Sequence, residues 1–154
     1  MTKKLTFIGT KIHPFSVFLQ FRNMERQTTF IAGLFLMLSI IFGAFGAHAL
    51  KSILAIEQLH TFEVGVRYQG FLAMGVLLLA LNYDRFQFDL KRLLWAMLLG
   101  MFLFSFSLYA IVLAPYFLPQ ISLRFLGPIT PMGGAISIGS WCVFLFRLLK
   151  YGRP

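Results

Sequence analysis

The stretch FIAGLFLMLSIIFGAFGAHAL, residues 30–50, is twenty-one positions long and contains no Lys, Arg, Asp or Glu. At about 1.5 Å per helical residue it extends roughly 31 Å, which matches a hydrocarbon core of about 30 Å. Residues 66–81, 93–114 and 129–149 repeat the pattern, broken only by Arg67 near one end and Arg147 near another. A hydrophobic fraction of 58% with 12% charged residues lies far from soluble composition, where charged residues make up about a quarter. The chain therefore reads as an all-α membrane protein, a four-transmembrane-helix bundle. With short connections, 154 residues leave nothing over for a second folded domain. The expected organisation is an N-terminal extension at 1–25, one transmembrane domain at 26–150 and a tail at 151–154.

The net charge of +9 first raises the question of nucleic acid. The basic residues gather at helix ends, however, and form no stripe on a polar domain, so a nucleic-acid partner is not expected. Lys3, Lys4, Lys11, Arg22, Arg26, Arg85, Lys91, Arg92, Arg147, Lys150 and Arg153 fall on one side of the expected topology, against Lys51, Arg67 and Arg124 on the other. The bias of Lys and Arg toward cytoplasmic segments then places both termini in the cytoplasm of a bacterial cell, with the bundle in the cytoplasmic (inner) membrane. Residues 1–25 hold two apolar patches separated by His13-Pro14, too short and too polar to span. They read as a loosely ordered tail or an interfacial anchor beside anionic lipid, and translation starting at Met24 would leave the orientation unchanged. Ala47-His48-Ala49 imitates a signal-peptidase site, but the basic region before it is too long and the apolar run too complete for a signal peptide. Cys142 stands alone inside the fourth run, so no disulfide framework exists and a buried apolar thiol is expected.

Small residues recur at helical spacing. Ala32, Leu36, Ser39, Gly43, Gly46 and Leu50 line one face of the first span, and Ala96, Gly100, Leu103, Ser107, Ala110 and Ala114 one face of the third. Gly133, Gly134, Ser137 and Ser140 do the same in the fourth, after a Thr130-Pro131 start that suits a helix cap. Such faces let helix backbones approach closely where lipid removes any hydrophobic drive to associate. Residues 51–65, with Ile53, Ile56 and Leu59 on one side, read as a short amphipathic interfacial helix between spans 1 and 2. Glu63 and Arg67 are spaced for an i,i+4 ion pair worth about 0–1 kcal/mol. Pro115, Pro119 and Pro128 break the last connection.

The polar residues that remain near the spans are His48, Glu63, Arg67, Tyr68, Gln69, Ser105, Ser107, Tyr109 and Thr130, and alternation of the helices puts them all toward the outer face. Polar groups at membrane depth are costly and are candidates for function. Three readings compete: a hydrogen-bonded lid across helix ends, a small binding site for a lipid headgroup, quinone or other amphiphile, and a proton or ion path through His48 and Glu63. The last lacks matching groups through the inner half. His13, His48 and His60 have no metal-ligand spacing with each other or with Cys142, and no phosphate loop precedes a helix, so neither a metal, a cofactor nor a catalytic residue is expected.

Four motifs carry a family resemblance. Gly43-Ala44-Phe45-Gly46-Ala47-His48, Phe62-Glu63-Val64-Gly65-Val66-Arg67-Tyr68-Gln69, Phe104-Ser105-Phe106-Ser107-Leu108-Tyr109 and Ile129-Thr130-Pro131-Met132-Gly133-Gly134 resemble, in order, the motifs of domain-of-unknown-function family 423, small four-helix membrane proteins. Phe106 stands where members often have Gly, and Gly70-Phe71-Leu72 where they usually have a His. The resemblance implies a fold and a membrane location, and no reaction. The leading expectation is a non-catalytic accessory or scaffold protein that packs against other membrane subunits or itself through its small-residue faces. The rival is a small-molecule binder or transporter with its site at the outer polar cluster.

Overall fold

The structure is a computed structural model. It describes residues 14–117 and 126–151, with side chains from Arg26 onward. Four helices make the fold: α1 (Pro14–Ala47), α2 (Ile56–Leu81), α3 (Lys91–Phe117) and α4 (Ile129–Tyr151), with single 3-10 turns at Leu50–Ser52 and Tyr83–Arg85. All four are long and apolar enough to cross a membrane. In hydrocarbon that is the arrangement in which every backbone N–H and C=O finds a partner within its own segment.

α2 and α3 form the middle of the molecule, α1 packs along α2, and α4 packs along α3. The start of the first span, the turn between α2 and α3 and the end of α4 share one end of the bundle, here called the terminal end. The connections after α1 and after α3 lie at the distal end.

The helices run beyond their apolar runs in two places. Residues 14–25, expected as a tail or anchor, are helical and continuous with the first span. Pro14 sits at the first helical position, which its fixed φ favours, and no Gly or Pro follows before Gly33. The interfacial helix expected at 51–65 is not a separate element. Its start is the 3-10 turn, and from Ile56 onward it is the beginning of α2. Gln58 starts that helix by accepting from the Ala55 N–H at 3.1 Å, one half of a capping box, and no breaker stops propagation into the span. α3 continues through Pro115 to Phe117, where the lost N–H falls in the last turn.

Two apolar clusters fill the interior. One, toward the terminal end, joins Ala32, Ala73, Val76, Leu79, Leu90, Leu94, Met97, Met101 and Phe144. The other, toward the distal end, joins Leu54, Phe62, Tyr109 and Val112. Cys142, expected to be buried, lies on an exposed face of α4.

Candidate functional site

Between the two clusters lies a polar layer. Gln69 is at the middle of the 26-residue α2, about 20 Å from either helix end, and is fully buried. Its Nε2–H donates to the Phe35 carbonyl of α1 at 2.8 Å. Its Oε1 accepts from the Tyr109 hydroxyl of α3 at 2.9 Å. One amide thus ties three helices, and both bonds form where no water competes for the groups. Tyr109 is held from all sides by rings: Phe62 at 4.9 Å, Phe42 at 5.1 Å and Phe106 at 5.5 Å between centroids. Gly65 makes the approach possible, because a methyl group there would lie 2.7 Å from Tyr109 Cε1.

A second polar contact joins α3 to α4. Ser107 Oγ and Thr130 Oγ1 lie 2.7 Å apart, and Ser107 also donates to the Phe104 carbonyl at 2.9 Å. With the Ser107 proton committed to that carbonyl, the Thr130 hydroxyl donates to Ser107. Thr130 therefore acts across the helix pair and not only at the start of α4.

Two buried hydroxyls, Ser105 Oγ and Ser137 Oγ, have no hydrogen-bond partner among the described residues. For Ser137 the neighbour is the Gly100 Cα: a methyl group on Gly100 would fall 2.5 Å from Ser137 Oγ and 2.9 Å from the Gly133 carbonyl. The Gly100 Cα–H points at both oxygens, the weak Cα–H···O contact common where helices cross closely. Ser105, at the centre of α3 beside the Gln69 layer, has no comparable account.

The nine residues expected to cluster do not share one site. Gln69 and Tyr109 meet, and Ser107 meets Thr130. Gln69, expected near the outer face, sits at mid-helix because α2 begins at Ile56, ten residues before its apolar run, and Ser105, expected there too, sits at the centre of α3, which runs from Lys91 to Phe117. His48, Glu63 and Arg67 are exposed, and among the described residues Glu63 and Arg67 form no ion pair. Tyr68 is also exposed and stacks edge-on against Phe104 at 5.3 Å. Among the described residues no three His, Cys, Asp or Glu side chains come together.

The small-residue faces are occupied within the chain itself. On α1, Gly43 faces Val66 and Gly46 faces Phe62 of α2, while Ser39 lies opposite Gly70. On α3, Gly100 meets Gly133 and Ser137 of α4, where a methyl group at Gly133 would collide with the Phe104 backbone nitrogen; Gly134 lies against the Phe104 ring. Ala110 is half-buried on the same side of α3. Among the described residues outside their own helix, nothing lies within 4 Å of a methyl group placed on Gly33 or Gly139.

Sequence reading missed the polar turn at the terminal end. Tyr83 Oη donates to Asp89 Oδ1 at 2.7 Å, the Lys91 N–H donates to the same oxygen at 2.8 Å, and Arg147 Nη1 of α4 donates to the Asp89 carbonyl at 2.9 Å. Phe86 and Phe88 fold inward onto Phe144, with centroids at 5.5 and 6.2 Å. The available signal was an Asp two residues before a helix, the spacing of an Asx turn.

Comparison with known proteins gives a consistent result. The family described as "Protein of unknown function (DUF423)" matches residues 42–134. The UPF0382 membrane protein YwdK of Bacillus subtilis is 34% identical over 117 residues, covering 75% of this chain and 89% of the relative. A UPF0382 membrane protein of Staphylococcus epidermidis is 32% identical over 115 residues, covering 75% and 88%. The UPF0382 inner membrane protein YgdD of Escherichia coli K12 is 28% identical over 120 residues, covering 74% and 82%. No solved structure matches the chain.

Proposed function

Since the chain belongs to the DUF423 family of proteins of unknown function, we propose that it is a non-catalytic accessory subunit of a bacterial cytoplasmic membrane, with both termini in the cytoplasm. The observation that carries this reading is the use made of its intramembrane polar groups. Gln69, Tyr109, Ser107 and Thr130 bond one another or a backbone carbonyl across helices, so the polar interior holds the protein's own bundle together. What is left for partners is apolar: Phe30, Ile40 and Phe45 on α1 and Ile138 and Phe146 on α4 are all more than half exposed. Because the small-residue faces are closed within the chain, contact with other subunits falls to these larger side chains. The bias of eleven basic residues to three supports the orientation.

Purification in mild detergent followed by native mass spectrometry tests the proposal. The expected outcome is a defined complex with another membrane protein or a second copy, unchanged by His48→Ala. Recovery as a lone monomer carrying an amphiphile would contradict it.

One observation favours the second reading, a binder of a lipid, quinone or other amphiphile at the distal face. His48 is exposed at that face and Glu63 and Arg67 are exposed along the distal half of α2, and the latter two have no partner among the described residues. A ligand-induced thermal shift abolished by Arg67→Ala would select that reading; a shift that survives the substitution would exclude this site.

A further inference from the structure

The guanidinium of Arg147 is held by a neutral group. Nη1 donates to the Asp89 backbone carbonyl at 2.9 Å, and among the described residues no carboxylate comes within ion-pair distance of it. The position of the cation is fixed, its charge reaches the Asp89 carboxylate only from beyond ion-pair distance, and its other N–H donors have no partner among the described residues. Lys150 follows one turn later on α4, and Lys91 and Arg92 open α3 immediately beyond the Asp89 turn. The carboxylate at this junction has Oδ1 taken by Tyr83 and by the Lys91 N–H. Asp84 and Arg85 lie in the preceding turn and carry opposite charges. Four cations thus share one end of the α3–α4 pair; Lys91 and Arg147 act on the Asp89 carboxylate, and Lys150 Nζ lies 5.1 Å over the Tyr151 ring.

The surface next to these cations is apolar. Trp95 and Leu99 on α3 and Phe146 and Leu149 on α4 are 41%, 52%, 66% and 81% exposed, and they continue from the basic end toward hydrocarbon depth. A soluble anion needs only the cations; a lipid uses both surfaces. A guanidinium fork matches phosphate oxygens in geometry as well as charge, and basic sites between membrane helices are suited to anionic headgroups. We propose that Arg147, with Lys91, Arg92 and Lys150, forms a binding site for the phosphate headgroup of an anionic phospholipid at the terminal end of the α3–α4 pair. The site shares Phe146 with the apolar surface of the accessory-subunit reading, which uses the four cations only in the count that orients the chain, so a failure of one does not entail a failure of the other.

The test is the retention of phosphatidylglycerol by the full chain, titrated into phosphatidylcholine nanodiscs and read by native mass spectrometry. Wild type retains phosphatidylglycerol selectively. Arg147→Gln weakens retention about tenfold, the value of a charge-assisted bond. Because Arg147→Gln also removes a bond to the turn, the double variant Lys91→Gln/Lys150→Gln is the second measurement. It leaves every described hydrogen bond in place and weakens retention about 25-fold, at roughly fivefold per cation. Lys51→Gln, at the distal end, leaves retention unchanged. Equal retention in all variants, equal loss from Lys51→Gln, or displacement of the lipid by millimolar inorganic phosphate would each overturn the proposal.

Discussion

Asp89 performs two tasks on two different atoms. Its carboxylate caps the turn into α3, and its carbonyl holds the end of α4 through Arg147. Partial burial pushes its pKa up, but the Tyr83 hydroxyl, the Lys91 N–H and the charges of Lys91 and Arg147 outweigh burial and hold the carboxyl below its ordinary value. A depressed folded-state pKa means stability that is present above the unfolded value and lost as pH falls through the folded one. Unfolding followed as pH falls from about 6 to 3 should therefore show declining stability, and Asp89→Asn should be less stable at neutral pH with a shallower decline. An acid limb identical to wild type would contradict this. Little of the turn could be read in advance. The Asx spacing is visible, but Arg147 binds a backbone carbonyl, and no side-chain pattern encodes which carbonyl is in reach. Gln69 is the same case: its polarity marks it, yet its acceptor on Phe35 is main-chain and 34 positions away.

At the scale of elements, the crossing of α3 and α4 is set by two glycines. Gly100 and Gly133 bring backbone against backbone, and a side chain on either has no flexible neighbour to displace. Gly133→Ala should cost about 1–3 kcal/mol, the usual penalty for overpacking, measured as unfolding in bicelles. Gly139→Ala on the same helix, with open space around it, should be neutral or stabilising by up to about 1 kcal/mol through helix propensity. Equal losses in the two variants would mean that the close crossing does not exist. The small-residue faces were legible from spacing, whereas the identity of their partner was not. Periodicity says that a face packs closely, and only the fold says that the face opposite belongs to the same chain. The four spans were legible because hydrocarbon imposes a length of apolar sequence. The start of α2 was not, since a helix can continue past its apolar run wherever no breaker stops it, and that ten-residue extension moved Gln69 from near a helix end to the helix middle.

Across the whole molecule, polar contacts recur at three depths. Tyr116 Oη donates to Gln58 Oε1 at 2.7 Å at the distal end, Gln69 joins three helices in the middle, and Asp89 fixes the terminal end. Apolar clusters fill the space between these layers. Lipid provides no hydrophobic drive for helices to associate, so close packing and a small number of well-placed polar ties must hold them. The account rests on the central tie being structural, a bond between the protein's own helices and not a reserve for ligand or proton. A double-mutant cycle on Gln69→Leu and Tyr109→Phe, read as unfolding free energy in bicelles, measures this directly. The account predicts destabilisation by each single change and a coupling of about 0.6–1.7 kcal/mol, the range found for hydrogen bonds between membrane helices. Strictly additive effects, or variants as stable as wild type, would contradict it.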